Sequence, residues 1–239
     1  MYRIFLSLTL LPFASALAAT PFVSVGLAPT VTVFKYPTST NRPPEYENSF
    51  LAVGGMACAG VSGRLHEWYA RFTWSNSEES KDKFEDEVYI SDVMTAYITH
   101  EHVERWQDQR LTLGHRWLLF RSEQKLIVGF VGAGLSAGTA LWRTHYMQSS
   151  AVFNVEEMEM TRDSFTREDA KYSSYSFGGS AELGGRVSIN RNLFIEASTQ
   201  LGINRTVFSE PGDDYGLTTN LAGTVIEPSL LLALRWELR

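Results

Sequence analysis

The C-terminal segment Ile226–Arg239 narrows the choice of folds more than any other part of the chain. Its even positions read Ile226, Pro228, Leu230, Leu232, Leu234, Trp236 and Leu238, while its odd positions read Glu227, Ser229, Leu231, Ala233, Arg235, Glu237 and Arg239. One face is apolar and the other is small or charged. A period of two belongs to an extended strand, because successive side chains point to opposite faces of a sheet.

The same alternation recurs upstream. In Leu193–Asn204 the odd positions Leu193, Ile195, Ala197, Thr199, Leu201 and Ile203 oppose Phe194, Glu196, Ser198, Gln200, Gly202 and Asn204. In Tyr175–Ile189, Tyr175, Phe177, Ala181, Leu183, Val187 and Ile189 oppose Ser176, Ser180, Glu182, Arg186 and Ser188. Near the beginning, Val23, Val25, Leu27, Val31 and Val33 oppose Ser24, Gly26, Ala28, Thr30 and Thr32. Arg64–Ser75 places Trp68, Ala70, Phe72 and Trp74 opposite Glu67, Tyr69, Arg71 and Thr73. Arg110–Phe120 groups Leu111, Leu113, Trp117 and Leu119, with His115 among them. Phe50–Gly60 and Lys125–Leu141 are small and apolar on both faces, so their orientation cannot be read. These segments predict about eight strands.

Their connections alternate in length. Val61–Gly63, Arg121–Gln124 and Asn190–Arg191 are short, whereas Tyr36–Ser49, Asn76–Gln109, Trp142–Ser174 and Arg205–Ala222 are long. Transmembrane barrels sort their connections this way, with short turns on the periplasmic side and long loops outside. A soluble sandwich has no reason to do so. Both chain ends then fall on the periplasmic side. Aromatic residues mark the strand ends as well. Phe22, Trp117, Phe194 and Trp236 lie at the short-turn ends, and Tyr36, Trp74, Trp142 and Tyr175 at the long-loop ends. Two such bands are expected at the two membrane interfaces.

At the N-terminus, Arg3, the apolar run Ile4–Phe13 and the small-x-small site Ala16-Leu17-Ala18 predict a secretory signal peptide over residues 1–18, cleaved after Ala18. Residues 19–239 form the expected barrel domain. No later stretch approaches the roughly 20 apolar residues of a membrane helix. With 21 basic and 27 acidic residues, a net charge of −6, the chain lacks the basic clusters of a nucleic-acid-binding protein. The single cysteine, Cys58, cannot form an internal disulfide and is expected to pack inward.

The ending Ala233-Leu234-Arg235-Trp236-Glu237-Leu238 resembles the closing strand of small Gram-negative outer-membrane β-barrel proteins, commonly small-x-Arg-aromatic-x-Phe. Here Leu238 stands in place of the terminal aromatic and Arg239 follows it. In architecture the chain is similar to the membrane domain of outer-membrane protein A and to outer-membrane proteins X and W. That resemblance implies an all-β, antiparallel, up-and-down transmembrane β-barrel in the bacterial outer membrane. It also implies contact with outer-membrane lipid and lipopolysaccharide, and recognition of the last strand by the barrel-assembly machinery. Eight strands are expected; ten or twelve follow if Val88–Thr99 and part of Trp142–Ser174 also cross.

With the polar faces inward, the lumen receives Glu67, Glu182, Glu196 and Glu227 against Arg71, Arg116, Arg186 and Arg235. An eight-stranded barrel is just wide enough for side chains to fill, so the expectation is an ion-paired plug and a structural or surface-interaction role. Three alternatives are a narrow channel, a passenger-less autotransporter-like translocator, and an outer-membrane lipid- or peptide-hydrolysing enzyme. Catalytic signals are thin. His100-Glu101-His102 supplies two imidazoles on one strand face, which is too few for a zinc site. His145 with Ser149 and Ser150 lacks a supporting motif, and Asp213-Asp214 stands alone. No cofactor, metal or catalytic set is expected. The long segments are acidic, with Glu78, Glu79, Asp82, Glu85, Asp86 and Glu87 in one and Glu156, Glu157, Glu159 and Asp163 in another.

Overall fold

The computed structural model describes residues 19–35, 47–77, 79–91, 94–121, 126–154, 159–209 and 220–238. The expected signal peptide at 1–18, Tyr36 and Asp213-Asp214 lie outside them.

Ten strand segments form one antiparallel sheet: β1 (Thr20–Leu27), β2 (Thr30–Lys35), β3 (Glu47–Ser62), β4 (His66–Ser77), β5 (Ser80–Ser91), β6 (Met94–Arg121), β7 (Ile127–Asn154), β8 (Glu159–Ser188), β9 (Leu193–Ser209) and β10 (Asn220–Glu237). The sheet closes on itself. β1 and β2 each pair with β3 on one side and β10 on the other, so together they fill a single place in the wall. The break between them falls at Ala28-Pro29, where proline offers no N–H to the ladder. The flanking groups bridge the gap: Ala28 N–H donates to Gly54 O at 2.9 Å, and Leu230 N–H donates to Pro29 O at 3.0 Å. The ring therefore runs β1/β2, β3, β4, β6, β7, β8, β9, β10, which is eight places.

Alternation settles which way each strand faces. Glu227, Leu231, Ala233 and Arg235 of β10 are buried while Leu230, Leu232, Leu234 and Trp236 are exposed, as their sequence pattern requires. The unreadable segments resolve too. Phe50, Ala52, Met56 and Cys58 of β3 point inward, as do Val128, Phe130, Ser136 and Ala140 of β7. The outer wall is an apolar belt, with Leu135 75% exposed, Leu51 66% and Val25 63%. Cys58 packs inside with Phe22, Met56, Tyr69 and Leu231.

The two ends of the barrel differ. At one end the turns are tight. Gly63 N–H bonds His66 O at 2.8 Å, and the Asn190 side-chain oxygen accepts from both Asn192 N–H and Leu193 N–H at 2.9 Å. At the other end β6, β7 and β8 run on well past the wall. Most of what the sequence assigns to the loops Asn76–Gln109 and Trp142–Ser174 is strand. β5 folds back on β6 over Ser80–Ser91, β6 continues on β7, and β7 on β8, which gives a four-stranded extension on one side of the mouth. Within the Val88–Thr99 region, Val88–Ser91 and Met94–Thr99 belong to this extension as strands rather than to an added crossing of the wall. Beyond the apolar belt both faces of a sheet can meet water, so pairing continues through the backbone while hydropathic alternation fades.

Candidate functional site

The inward faces of five strands bring charged side chains together in the short-turn half of the barrel. Glu67, Tyr69 and Arg71 come from β4, Arg116 from β6, Glu182 and Arg186 from β8, Glu196 from β9, and Arg235 and Glu237 from β10, above a floor formed by Phe22 of β1. Their order follows from the register: Glu67 stands opposite Arg116, Arg186 opposite Glu196, and Ser24 opposite Arg235.

Glu67 is the hub. Arg235 grips it through two bonds, Nη1 to Oε2 at 3.0 Å and Nη2 to Oε1 at 2.9 Å. Arg186 donates to it at 2.5 Å and Ser62 Oγ at 2.7 Å, and Arg116 stands 3.6 Å away. Glu182 is a second hub, accepting from Arg116 at 2.7 Å, Ser198 at 2.7 Å, Tyr69 at 3.0 Å and Arg71 at 3.2 Å. Arg116 also reaches Glu196 at 2.9 Å, and Arg235 reaches Glu196 and Glu237 at 3.5 Å. Four arginines thus meet four glutamates, and the planar guanidinium fork suits such shared carboxylates.

Aromatic rings line this cluster. The Arg235 guanidinium lies over Phe22, and Arg116 is held between Phe130, 4.3 Å from the ring centre, and Tyr69, 4.7 Å from it. Arg71 also lies over Tyr69, and Arg186 is 5.7 Å from the Phe194 ring. Weakly hydrated guanidinium accepts such faces in a desolvated site.

The expected luminal set is therefore largely assembled, with one exchange. Glu227 belongs to a separate group nearer the long-strand end, where it pairs with Arg110 and accepts from Asn204 at 2.7 Å. Asp108 joins Arg110 at 3.2 Å. Glu237 takes the fourth acidic place beside Arg235. Arg110 shares the parity of Arg116, and Glu237 that of Arg235, so strict alternation contained both signals. Asp108 fell within a stretch assigned to a loop. Between the two groups lies a void of about 30 Å³ bounded by Thr73, Arg110, Gln200 and Glu227.

The aromatic bands need correction. Trp74, Trp117, Tyr175 and Trp236 stand on the outer wall, Tyr175 at 70% exposure. Phe22 and Phe194 point inward at 1% and 4% exposure, and their rings stack with luminal arginines. Trp142 shares the inward parity of Ala140 and packs on Trp106 and Tyr172, its ring centre 5.2 Å from that of Tyr172. Strand parity overrides position along the strand.

Of the remaining candidates, His100 Nδ1 lies 2.5 Å from Tyr146 Oη and Nε2 lies 3.5 Å from Asp86. His102 faces Glu104 at 3.5 Å. Among the described residues no group of three His, Cys, Asp or Glu side chains could hold a metal ion. The side chains of Glu156, Glu157, Glu159 and Asp163 lie outside the described residues.

No family model matches the sequence, and no curated protein does. Among solved structures, the outer membrane protein OprG from Pseudomonas aeruginosa aligns over 93% of this chain and 97% of its own, at 11% identity and a TM-score of 0.43. Neisserial surface protein A aligns over 91% and 97%, at 11% identity and a TM-score of 0.37. Ail, the attachment invasion locus protein of Yersinia pestis, aligns over 92% and 99%, at 10% identity and a TM-score of 0.34. The chain is similar to these three proteins in extent, and its assignment as an up-and-down antiparallel β-barrel rests on its own strand pairing.

Proposed function

We propose that this chain is a Gram-negative outer-membrane protein whose barrel crosses the bilayer with a closed lumen, and whose work is done by the sheet projecting from its outer mouth. The observation that carries the reading is the ion-paired cluster across the short-turn half. Its eight charged residues are each no more than 6% exposed, and they link β4, β6, β8, β9 and β10 across the interior. A solute crossing there would have to part several arginine–glutamate contacts at once.

The outer wall supports the membrane part of the proposal. Trp117 and Gln109, the partner of Trp74, are eight residues apart on β6. That is about 27 Å along a strand, or about 21 Å of height at the usual tilt of roughly 40°, close to the roughly 25 Å apolar band of such barrels. The short-turn end and both termini of the barrel face the periplasm, and the β5–β8 extension faces outward toward lipopolysaccharide and external partners. The last strand, β10, is the segment offered to the barrel-assembly machinery. The chain has no catalytic role in this reading.

Conductance of the refolded barrel in a planar bilayer tests it, with Glu182→Gln and Arg186→Gln alongside and heat-modifiable mobility as the check on folding. Silence from the wild type supports the closed lumen. Steady conductance that changes with either variant makes the protein a narrow channel instead.

A further inference from the structure

Three cations stand side by side on the outer face of the projecting sheet. In the strand register Arg105 of β6 lies opposite Arg143 of β7, and Arg143 lies opposite Lys171 of β8. Neighbouring strands are about 4.8 Å apart, and like charges placed directly opposite one another destabilise a sheet. Arg143 and Lys171 are exposed and have no ion-pair partner among the described residues, whereas Arg105 is oriented by an Nε–H bond to the Asn76 side-chain oxygen at 3.1 Å.

The row has a defined height. Trp74, Gln109, Thr139 and Tyr175 occupy one register row, with both aromatics on the outer wall. On the same face the next row outward holds Asn76, Gln107, Leu141 and Ser173, and the row after that holds the three cations. Lys171 is four residues from Tyr175, or about 13 Å along the strand. If Trp74 and Tyr175 mark the outer interface, as aromatic girdles do, the cations lie at the depth of lipid headgroups.

A groove of about 670 Å³ opens at the row, with Lys81 and His145 also on its walls. Glu79, Glu101 and Glu104 also line it. Glu79 lies 3.9 Å from Lys81, Glu104 turns inward and lies 3.5 Å from His102, and Glu101 stands one strand over from Lys83 in the register. Among the described residues no carboxylate forms an ion pair with Arg105, Arg143 or Lys171.

We propose that Arg105, Arg143 and Lys171 bind the phosphate groups of an outer-leaflet glycolipid headgroup, so that the projecting sheet clasps the membrane it rises from. This rests on the outer-membrane reading above. Arginine offers a planar fork to phosphate oxygens and lysine a point charge, and a row spanning three strands can meet more than one phosphate of the same headgroup.

The test uses the folded full barrel in zwitterionic micelles, titrated with diphosphorylated lipid A, the dephosphorylated lipid, or inorganic phosphate. The triple variant Arg105→Gln/Arg143→Gln/Lys171→Gln is expected to bind diphosphorylated lipid A at least tenfold more weakly. The pair Arg64→Gln/Arg191→Gln, at the opposite end, is expected to leave binding unchanged. Should the triple variant not fold, Arg143→Gln alone, on an exposed side chain, is expected to weaken binding about threefold. Equal binding by wild type and row variants overturns the proposal. So does equal binding of the dephosphorylated lipid, and inorganic phosphate binding as tightly as the lipid would make this a free-anion site. Bilayer insertion is measured separately. A barrel that fails to insert sinks the membrane reading, whereas one that inserts but ignores the row sinks only this inference.

Discussion

The Arg235 guanidinium carbon lies 3.5 Å from the centre of the Phe22 ring while its terminal nitrogens hold both oxygens of Glu67. The first strand and the last are thus joined twice at the seam of the barrel, by the β1–β10 ladder along the wall and by this stack inside it. The ring covers one face of the ion pair and keeps water from it. Phe22→Ala removes a fully buried aromatic and opens a cavity beneath a charge, so the expected loss is about 3–5 kcal/mol. Phe22→Leu retains most of the volume and is expected to lose less than half as much. Urea unfolding in lipid vesicles measures both, and equal losses would mean that ring stacking, not filled volume, is what Phe22 supplies.

Glu67 and Glu85 separate buried from exposed ion pairing in one molecule. Glu67 is fully buried and shared by Arg186 and Arg235, whereas Glu85 meets Lys83 at 3.1 Å with both side chains about 60% exposed. Removing one partner of a buried pair strands its cations, which costs about 3–5 kcal/mol. Exposed pairs contribute about 0–1 kcal/mol. Glu67→Gln should therefore lower the urea midpoint strongly, and Glu85→Gln should leave it within error. Equal small effects would show that water reaches the luminal cluster.

Alternation made the closing strands legible because β8, β9 and β10 carry a mainly apolar outer face, and their charged belt residues Glu182, Arg186, Glu196, Glu227 and Arg235 all face inward. Glu182, Arg186, Glu196 and Arg235 followed directly. β3 was opaque for a physical reason: its small inward residues leave room for large neighbours, and at Gly60 an added side chain would meet the Phe22 ring. Phe22 and Phe194 were misplaced by reading an aromatic at a strand end as an interface residue. Phe194 shares its face with Glu196 and Ser198, so parity alone placed it inside. The projecting sheet was hidden because its strands meet water on both faces, and no period of two distinguishes them from a polar loop. The cation row could not be seen in sequence at all, since Arg105, Arg143 and Lys171 become neighbours only through register.

Gly114 illustrates the room a luminal tyrosine requires. A side chain at Gly114 would collide with the Tyr69 ring, which lies across it and donates from its hydroxyl to Glu182 at 3.0 Å. Gly114→Val should displace the ring and cut both that bond and the stacking with Arg116. The expected outcome is a loss of about 1–3 kcal/mol from overpacking. In the Tyr69→Phe background, which already lacks the hydroxyl bond, the additional loss should be smaller. A double-mutant cycle reads the coupling, and strict additivity would show that Gly114 and Tyr69 act independently.

Trp236 and Phe194 offer the sharpest check on which way the wall faces. Trp236 pairs with Leu193 and Arg235 with Phe194, so the two aromatics sit within one residue of the same height on adjacent strands. Trp236 is 55% exposed on the outer wall and Phe194 is 4% exposed inside. In a protein whose other tryptophans are replaced by phenylalanine, Trp236 should be strongly quenched by brominated lipid. A second variant carries Phe194→Trp as its sole tryptophan, and the larger ring costs about 1–3 kcal/mol of overpacking, so folding is confirmed by heat-modifiable mobility. Its emission should be quenched less than a third as much, because the barrel wall separates it from the acyl chains. Equal quenching at the two positions would place Phe194 in the lipid and remove it from beside the luminal arginines. Weak quenching at both would mean that the apolar outer wall does not contact lipid, and the membrane reading would fail with it.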